Sequence, residues 1–259
     1  GIRHNGTEAR DAASVIQSLL SMSSMRLPPL APEAAERLRG FNFDFYVNEP
    51  ASPWAVLRQE VLPFLPVSLH YGPEGVRLVY WNVHATQDDA IDVINPTTRG
   101  GERAGPVRFS SADEIANQLR MRFAQRGDTG AFLREITTGP DRDQSASSRY
   151  DVNPYSVQSF HRYGLRVGRP IDATSIQDPA TARAVLSWML KWMSQTRRRL
   201  AYDLPQHYQY LRPGDVVTVT DSDISLSGAV CLVRSVGHGP GRTHVALETV
   251  PDFIRTAPQ

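Results

Sequence analysis

The sequence predicts an α+β fold: a mixed helix-and-strand domain over residues 1–108, then a small antiparallel β-barrel over 109–259 flanked by a long helix at 179–199. Three observations lead there. Leu211 to Val250 carries three apolar, β-branched runs, Val216 to Thr220, Val230 to Val236 and Thr243 to Val250. The turn-rich stretches "DSDISLSG" and "GHGPGR" separate them, which is the pattern of an antiparallel meander or a barrel wall. Ahead of this block, Ala182, Val185, Leu186, Met189, Trp192 and Met193 recur at helical spacing behind Asp178-Pro179, the strongest helix signal in the chain. The first part of the chain instead mixes helical stripes with short strand patterns.

Taken in order, Thr7 is placed to cap a helix from about Glu8 to Ser23, with Ala12, Val15, Ile16, Leu19 and Leu20 on one face. Pro28-Pro29 breaks it, and a short helix starts at Pro32 and ends at Gly40. Phe41, Phe43 and Phe45 then alternate with Asn42 and Asp44, the period of a half-buried strand. Ser52 caps the next helix, with Pro53 at its first position and Trp54, Val56, Leu57, Val61 and Leu65 facing inward. "VSLHYGPEGVRLVYW" reads as a hairpin about a Gly-Pro-Glu-Gly turn. Arg99 to Pro106 reads as a long, Gly-rich loop. Ser111 and Glu114 offer a capping box, and Arg120 to Ala124 alternates as a strand.

"TTGPDRDQSASSRYDVNP" is polar and aperiodic, hence an exposed loop. In the helix that follows, Arg197-Arg198-Arg199 falls in the last turn, where positive charge opposes the helix dipole. Trp188 and Trp192 lie four apart on one side of it and are packing or interface candidates, Trp192 buried and Trp188 partly covered. "LAYDL" is a strand stopped by Pro205. Pro213, Gly214 and Asp215 form a structural turn, with Pro213 fixing φ and Gly214 free to take positive φ.

Composition excludes several functions. A net charge of +1 gives no bulk electrostatic grip on nucleic acid or acidic membranes. Lys191 is the only lysine among 28 basic residues, so the rest are arginine, which a GC-rich genome explains and which also suits planar contacts at subunit interfaces. Cys231 is the only cysteine, which rules out an intrachain disulfide and a Cys-based zinc site, and its strand context reads as a buried thiol. No apolar run approaches a membrane span and no signal-peptide pattern opens the chain. The first residue is Gly1, which reads as an excerpt from a longer polypeptide.

Catalytic signatures are missing. No G-x-S-x-G occurs, and the seven histidines, His4, His70, His84, His161, His207, His238 and His244, stand singly with no metal-ligand spacing. Gly237 to Gly241 joins two strands, so it reads as a hairpin tip and not a phosphate cradle. Asp88-Asp89 and Asp141/Asp143 are the acidic clusters in loops, and adjacent carboxylates on an extended chain point apart, a poor pair for glycoside hydrolysis. Tyr202, Tyr208 and Tyr210, near His207, suit strand packing or an interface better than a sugar platform. The sequence therefore gives no catalytic, cofactor-binding or metal-binding residue.

Four segments carry a resemblance. "LRPGDVVTVT" through "VRSV" resembles an L-x-P-G-D-V-V turn followed by a strand ending V-x-S-V. Trp54-Ala55-Val56-Leu57 and Leu62-Pro63 resemble A-x-x-V-L-x-x-x-L-P ahead of a G-x-x-G hairpin, and "FSSADEIANQLRMRFA" resembles a helical step, a central Asn and an outgoing strand. "PYSVQSFHRYGLRVG" resembles S-I-x-x-Y-G-x-R, with Val157 in the Ile place and Tyr163, Gly164 and Arg166 matching. In this order they resemble the hub proteins of tailed-phage tail tips and baseplates, and the gene-transfer-agent tail hub.

The resemblance implies a non-enzymatic module at the virion tail tip, assembled in the bacterial host cytoplasm and needing no cofactor. It implies a homotrimer around the tail axis that gates the DNA channel. Its partners would be the distal tail or tail tube protein, the tape-measure protein and the fibre or receptor-binding proteins, with DNA passing without sequence-specific binding. Tyr208 and Tyr210 join the two tryptophans as interface candidates. The rival readings are a tail-associated cell-wall hydrolase and a carbohydrate- or receptor-binding module.

Overall fold

The computed structural model describes residues 3–4, 7–8, 10–23, 32–44, 51–72, 75–140 and 153–251. In chain order its elements are β1 (Arg3–His4), β2 (Thr7–Glu8), α1 (Ala12–Met22), α2 (Pro32–Leu38), α3 (Pro53–Val56), β3 (Val67–Gly72), β4 (Gly75–Tyr80), β5 (Asp92–Ile94), α4 (Pro96–Arg99), β6 (Glu102–Arg103) and β7 (Arg108–Phe109). They continue with β8 (Leu119–Gln125), β9 (Phe132–Thr138), α5 (Pro154–Tyr163), β10 (Ile171–Asp172), α6 (Pro179–Met193), β11 (Arg198–Pro205), β12 (Val216–Asp221), β13 (Leu226–Gly239) and β14 (Arg242–Thr249). The fold is mixed α+β. It divides into two compact units, Gly1–Tyr80 with Ala116–Leu190, and Trp81–Ile115 with Lys191–Gln259.

In the first unit Asp11, not Thr7, caps α1: its carboxylate accepts from the Ser14 N–H at 3.0 Å and the Ser14 hydroxyl at 2.6 Å. Thr7 belongs to β2. The expected stripe nevertheless holds, with Ala12, Val15, Ile16, Leu19 and Leu20 all buried. Phe41 and Phe43 are buried as the alternation predicts, yet they form no strand; only a bridge joins Asp11 to Asn42, and Phe45 lies outside the described residues.

Ser52 caps α3 as expected, accepting from the Ala55 N–H at 3.1 Å. The helix continues as a π-helical turn (Leu57–Val61) and a 3₁₀ turn (Leu62–Phe64), which spares Pro63 a mid-helix clash. β3 and β4 pair in register from Val67↔Tyr80 to Gly72↔Gly75, and the turn residues between them lie outside the described residues. A three-stranded sheet, β10-β8-β9, completes the unit, parallel between β10 and β8.

The helix at 179 ends earlier than the sequence predicts. Asp178 caps it, accepting from the Ala180 and Thr181 N–H groups, but α6 stops at Met193. Arg197 then makes buried hydrogen bonds, and Arg198 and Arg199 already belong to β11. Tertiary partners outbid the dipole, because the Arg197 and Arg198 N–H groups donate to Ser110 Oγ and Thr249 Oγ1, both at 2.9 Å. The buried face of α6 uses Ala182, Val185, Leu186 and Leu190, while Met189, Trp192 and Met193 are half-buried.

The second unit is built on one curled, half-barrel sheet of seven strands, ordered β5-β12-β13-β14-β11-β6, with β7 also pairing with β11. The predicted meander is its centre: β12, β13, β14 and β11 are antiparallel neighbours. β5 joins parallel to β12, so the sheet is not wholly antiparallel. The expected Arg99–Pro106 loop supplies α4's last residue and β6, which adds to β11 through Tyr202↔Arg103 and Asp203↔Glu102. The core between the curled walls includes Ile94, Leu200, Tyr202, Tyr208, Val217, Cys231, Val233, Val245 and Leu247. Burial pushes the Cys231 thiol up to about 12.

The Pro213–Gly214 turn forms as predicted from sequence. Gly214 has φ +95°, its N–H donates to the Val233 carbonyl at 2.9 Å, and the Arg212 N–H donates to Asp215 Oδ2 at 2.7 Å. A side chain at this φ costs about 1–2 kcal/mol. Gly214→Val is therefore expected to lower the unfolding midpoint in a thermal melt, and an unchanged midpoint would show that the turn tolerates the side chain.

Candidate functional site

Among the described residues, polar side chains gather at two buried centres and at both ends of the seven-stranded sheet. The first centre is Asn117, fully buried just before β8. Its Nδ2 donates to the Gly164 carbonyl at 2.7 Å and to Ser159 Oγ at 3.3 Å, and its Oδ1 accepts from the Arg166 N–H at 2.8 Å. Its backbone N–H donates to the Arg166 carbonyl at 2.9 Å, and its backbone carbonyl accepts from Ser156 Oγ. Both amide donors and the acceptor are used, which an aspartate cannot reproduce for want of donors.

The partners are positioned by local sequence. Ser156 and Ser159, three apart, lie on one face of α5 and are both fully buried. Gly164 at φ +70° ends α5, and a Cβ on Gly168 would stand 2.4 Å from Leu119 Cδ2. The helical step with its central Asn and the Tyr-Gly-x-Arg step are thus the two halves of one clamp.

The second centre is Glu248, buried on the face of the sheet opposite the aromatic core. Three guanidinium groups converge on it, with Nε atoms at 3.0 Å for Arg197, 3.3 Å for Arg199 and 3.4 Å for Arg234. Arg197 also donates to Glu114 Oε2 at 2.9 Å and to the Trp192 carbonyl at 2.7 Å, with its guanidinium 4.7 Å from the Trp192 ring centroid. Arg234 occupies a bulge between Val233 and Ser235 and stacks 4.0 Å from the Trp81 centroid. Burial lowers its pKa, against the raising effect of Glu248.

At one end of the sheet, β5 is fastened by side chains. Tyr208 is fully buried and donates to the Val93 carbonyl at 3.1 Å; Tyr210 is exposed, and its hydroxyl donates to Asp92. Arg99 donates to the same carboxylate at 2.7 Å. Burial pushes the Asp92 pKa up, but Tyr210, the Val93 N–H and Arg99 outweigh it and hold the carboxyl below its ordinary value. Arg103, on β6 at the other end of the order, lies 3.7 Å from Asp221 of β12, which accepts from the Tyr202 hydroxyl at 2.8 Å.

Residues 144–232 match the model of a family described as "Putative phage tail protein". Over those residues the sequence is similar to that phage tail family. No curated protein matches its sequence. Over 96% of its length it shares the fold of a chain from the virion of a native gene transfer agent particle, at 14% identity and a TM-score of 0.55, covering 49% of that chain. Two weaker structural matches are the tail protein from Neisseria meningitidis MC58 (TM-score 0.47, 9% identity, 93% of this chain and 67% of that one) and the prophage tail protein gp18 from Listeria monocytogenes EGD-e (0.46, 11%, 81% and 56%). The chain spans about half the length of the gene-transfer-agent chain.

The residues singled out from sequence fall in different places. Tyr208 and Tyr210 meet at the β5 edge, Tyr208 in the core and Tyr210 47% exposed. Trp188 is half-buried and donates from Nε1 to the Phe64 carbonyl at 3.1 Å; Trp192 is half-buried under Arg197. Asp89 serves as a capping-box partner of Thr86, accepting from its N–H at 2.8 Å. Asp141 and Asp143 lie outside the described residues. Among the described residues no group of three or more His, Cys, Asp or Glu is placed to hold a metal, and no helix is long and apolar enough to cross a membrane.

Sequence reasoning missed the Glu248 centre, because a glutamate on β14 and arginines just before β11, on β11 and on β13 leave no local motif. Two outcomes follow. Asn117→Ala removes the bonds to the part-buried Arg166 N–H and Gly164 carbonyl and is expected to cost about 1–3 kcal/mol in all, readable in urea denaturation. Glu248→Gln leaves three guanidinium groups about a neutral amide and is expected to cost roughly 3–5 kcal/mol, toward the lower figure because Arg199 and Arg234 reach solvent. A loss under about 1 kcal/mol in either variant would show that its centre does not hold the fold in place.

Proposed function

We propose that this chain is a structural, non-enzymatic module of a phage tail-tip or baseplate hub. It works as a homotrimer around the tail axis, joins the tail tube to the receptor-binding or fibre apparatus, and gates the DNA channel. The observation that carries the reading is the likeness in fold, over nearly the whole chain, to a chain of a gene-transfer-agent virion. The family match over residues 144–232 supports it from sequence. Its partners would be the distal tail or tail tube protein, the tape-measure protein and the fibre proteins. The polar centres suit a scaffold: their donors and acceptors face one another and are spent on holding segments together.

The test has two arms. Purified particles of the parent virus are expected to contain this chain at their tails, with threefold density at its position by electron cryomicroscopy. A zymogram of the purified chain against bacterial wall is expected to stay uncleared. Absence from particles, or any other symmetry there, overturns the hub reading; a cleared zone makes the chain a wall hydrolase.

A further inference from the structure

Two buried hydroxyls among the described residues meet no hydrogen-bond partner, Ser18 on α1 and Thr138 at the end of β9. Thr138 is 3% exposed, and a hydroxyl buried without a partner is unfavourable unless something outside the chain answers it. It also forms part of the wall of a cavity of about 430 Å³, whose described lining residues all belong to the first unit. That is the size of a small-molecule pocket and far more than one water needs.

Two helices build the rest of the wall. Arg183, Ser187 and Leu190 follow one another at intervals of four and three, so they share one face of α6. Asn153 and Pro154 bring the N-terminus of α5, a helix of 10 residues, and with it the positive end of the helix dipole. Asn153 Oδ1 is committed to the cap, where it accepts from the Tyr155 N–H at 3.0 Å. Its Nδ2 reaches Ser187 Oγ only at 3.5 Å, the outer limit of a hydrogen bond, so a nearer acceptor would draw both groups to itself.

The chemistry of this wall is one-sided. Thr138 and Ser187 offer hydroxyls, Asn153 an amide N–H, and the exposed Arg183 a guanidinium. Among the described lining residues none is acidic and none is aromatic. A sugar brings O–H donors and an apolar ring face, and would find neither a carboxylate nor a ring to meet them. An oxyanion brings acceptors alone. It would meet two hydroxyls, an amide, a permanent positive charge and a helix N-terminus, the donors that phosphate and carboxylate groups take.

We propose that this cavity binds a small oxyanion, a phosphate or a carboxylate, held between Arg183 and the N-terminus of α5 with Thr138 Oγ1 donating to it. The site lies within one unit of a single chain, so it stands or falls separately from the hub reading.

Isothermal titration calorimetry of the full chain with inorganic phosphate and, separately, with succinate, at pH 7 and constant ionic strength, tests it. Saturable binding is expected, and the anion that binds more tightly identifies the group the cavity takes. Thr138→Val keeps nearly the same shape and removes the hydroxyl, while Arg183→Gln removes the charge. Each is expected to weaken the binding at least about tenfold. Thermal melts without ligand check that both variants fold, and Ser187→Ala replaces either one that does not. No saturable binding of either anion overturns the site, and so does binding that any folded variant of the set leaves unchanged.

Discussion

β13 is paired on both sides, to β12 through Val216↔Leu232 to Asp221↔Leu226 and to β14 through Cys231↔Thr249 to Gly239↔Arg242. Val230, Cys231, Leu232 and Val233 are consecutive and all buried, so both faces of the sheet are covered there. No water reaches those peptide groups, and the ladder must satisfy them completely. The register that does so also sorts side chains by face. Cys231 and Val233 turn toward Val217, Val245 and Leu247, while Leu232 lies beside Glu248. A slip of one residue would carry Glu248 into the apolar core, so the sheet has one workable alignment.

The two polar centres satisfy burial differently. Asn117 is neutral and saturated: every polar atom it offers meets a partner on α5 or the turn after it. Glu248 is charged and over-supplied, with three guanidinium groups for one carboxylate and Glu114 taking part of the excess through Arg197. A saturated neutral amide contributes geometry with little long-range field. An ionic centre costs desolvation and is strongly destabilising once a partner is lost. That cost explains why α6 ends at Met193 and not near Arg199: Arg197 must leave the helix to reach Glu248 and Ser110.

Legibility followed how local the cause was. Ser52 at its cap, the Pro213–Gly214 turn and the Pro240–Gly241 hairpin tip are set by a few adjacent residues, and they stand where sequence places them. The stripe of α1 survived even though its cap was misplaced, because burial of Val15, Ile16, Leu19 and Leu20 depends on period and not on the first residue. Partners distant in sequence were not legible. β6 lies in a Gly-rich stretch with no strand pattern, and only the open side of β11 makes it a strand. Asn117 was visible as the centre of a pattern, but its task depends on Ser159, Gly164 and Arg166, more than forty residues on.

The family match covers residues 144–232, yet what holds that stretch in place comes largely from outside it. Within it, Ser159, Gly164 and Arg166 are tied by Asn117, and Arg197 and Arg199 by Glu248; Asn117 and Glu248 both lie beyond the match. β12 falls inside, but β5 on its one side does not, nor does the last part of β13 or any of β14. A stretch whose buried Ser159 and Arg197 side chains find their partners elsewhere is not a closed unit of its own. The recognisable sequence is therefore the half of each clamp that presents the partners, and the half that grips them is carried by residues whose identity only the assembled fold explains.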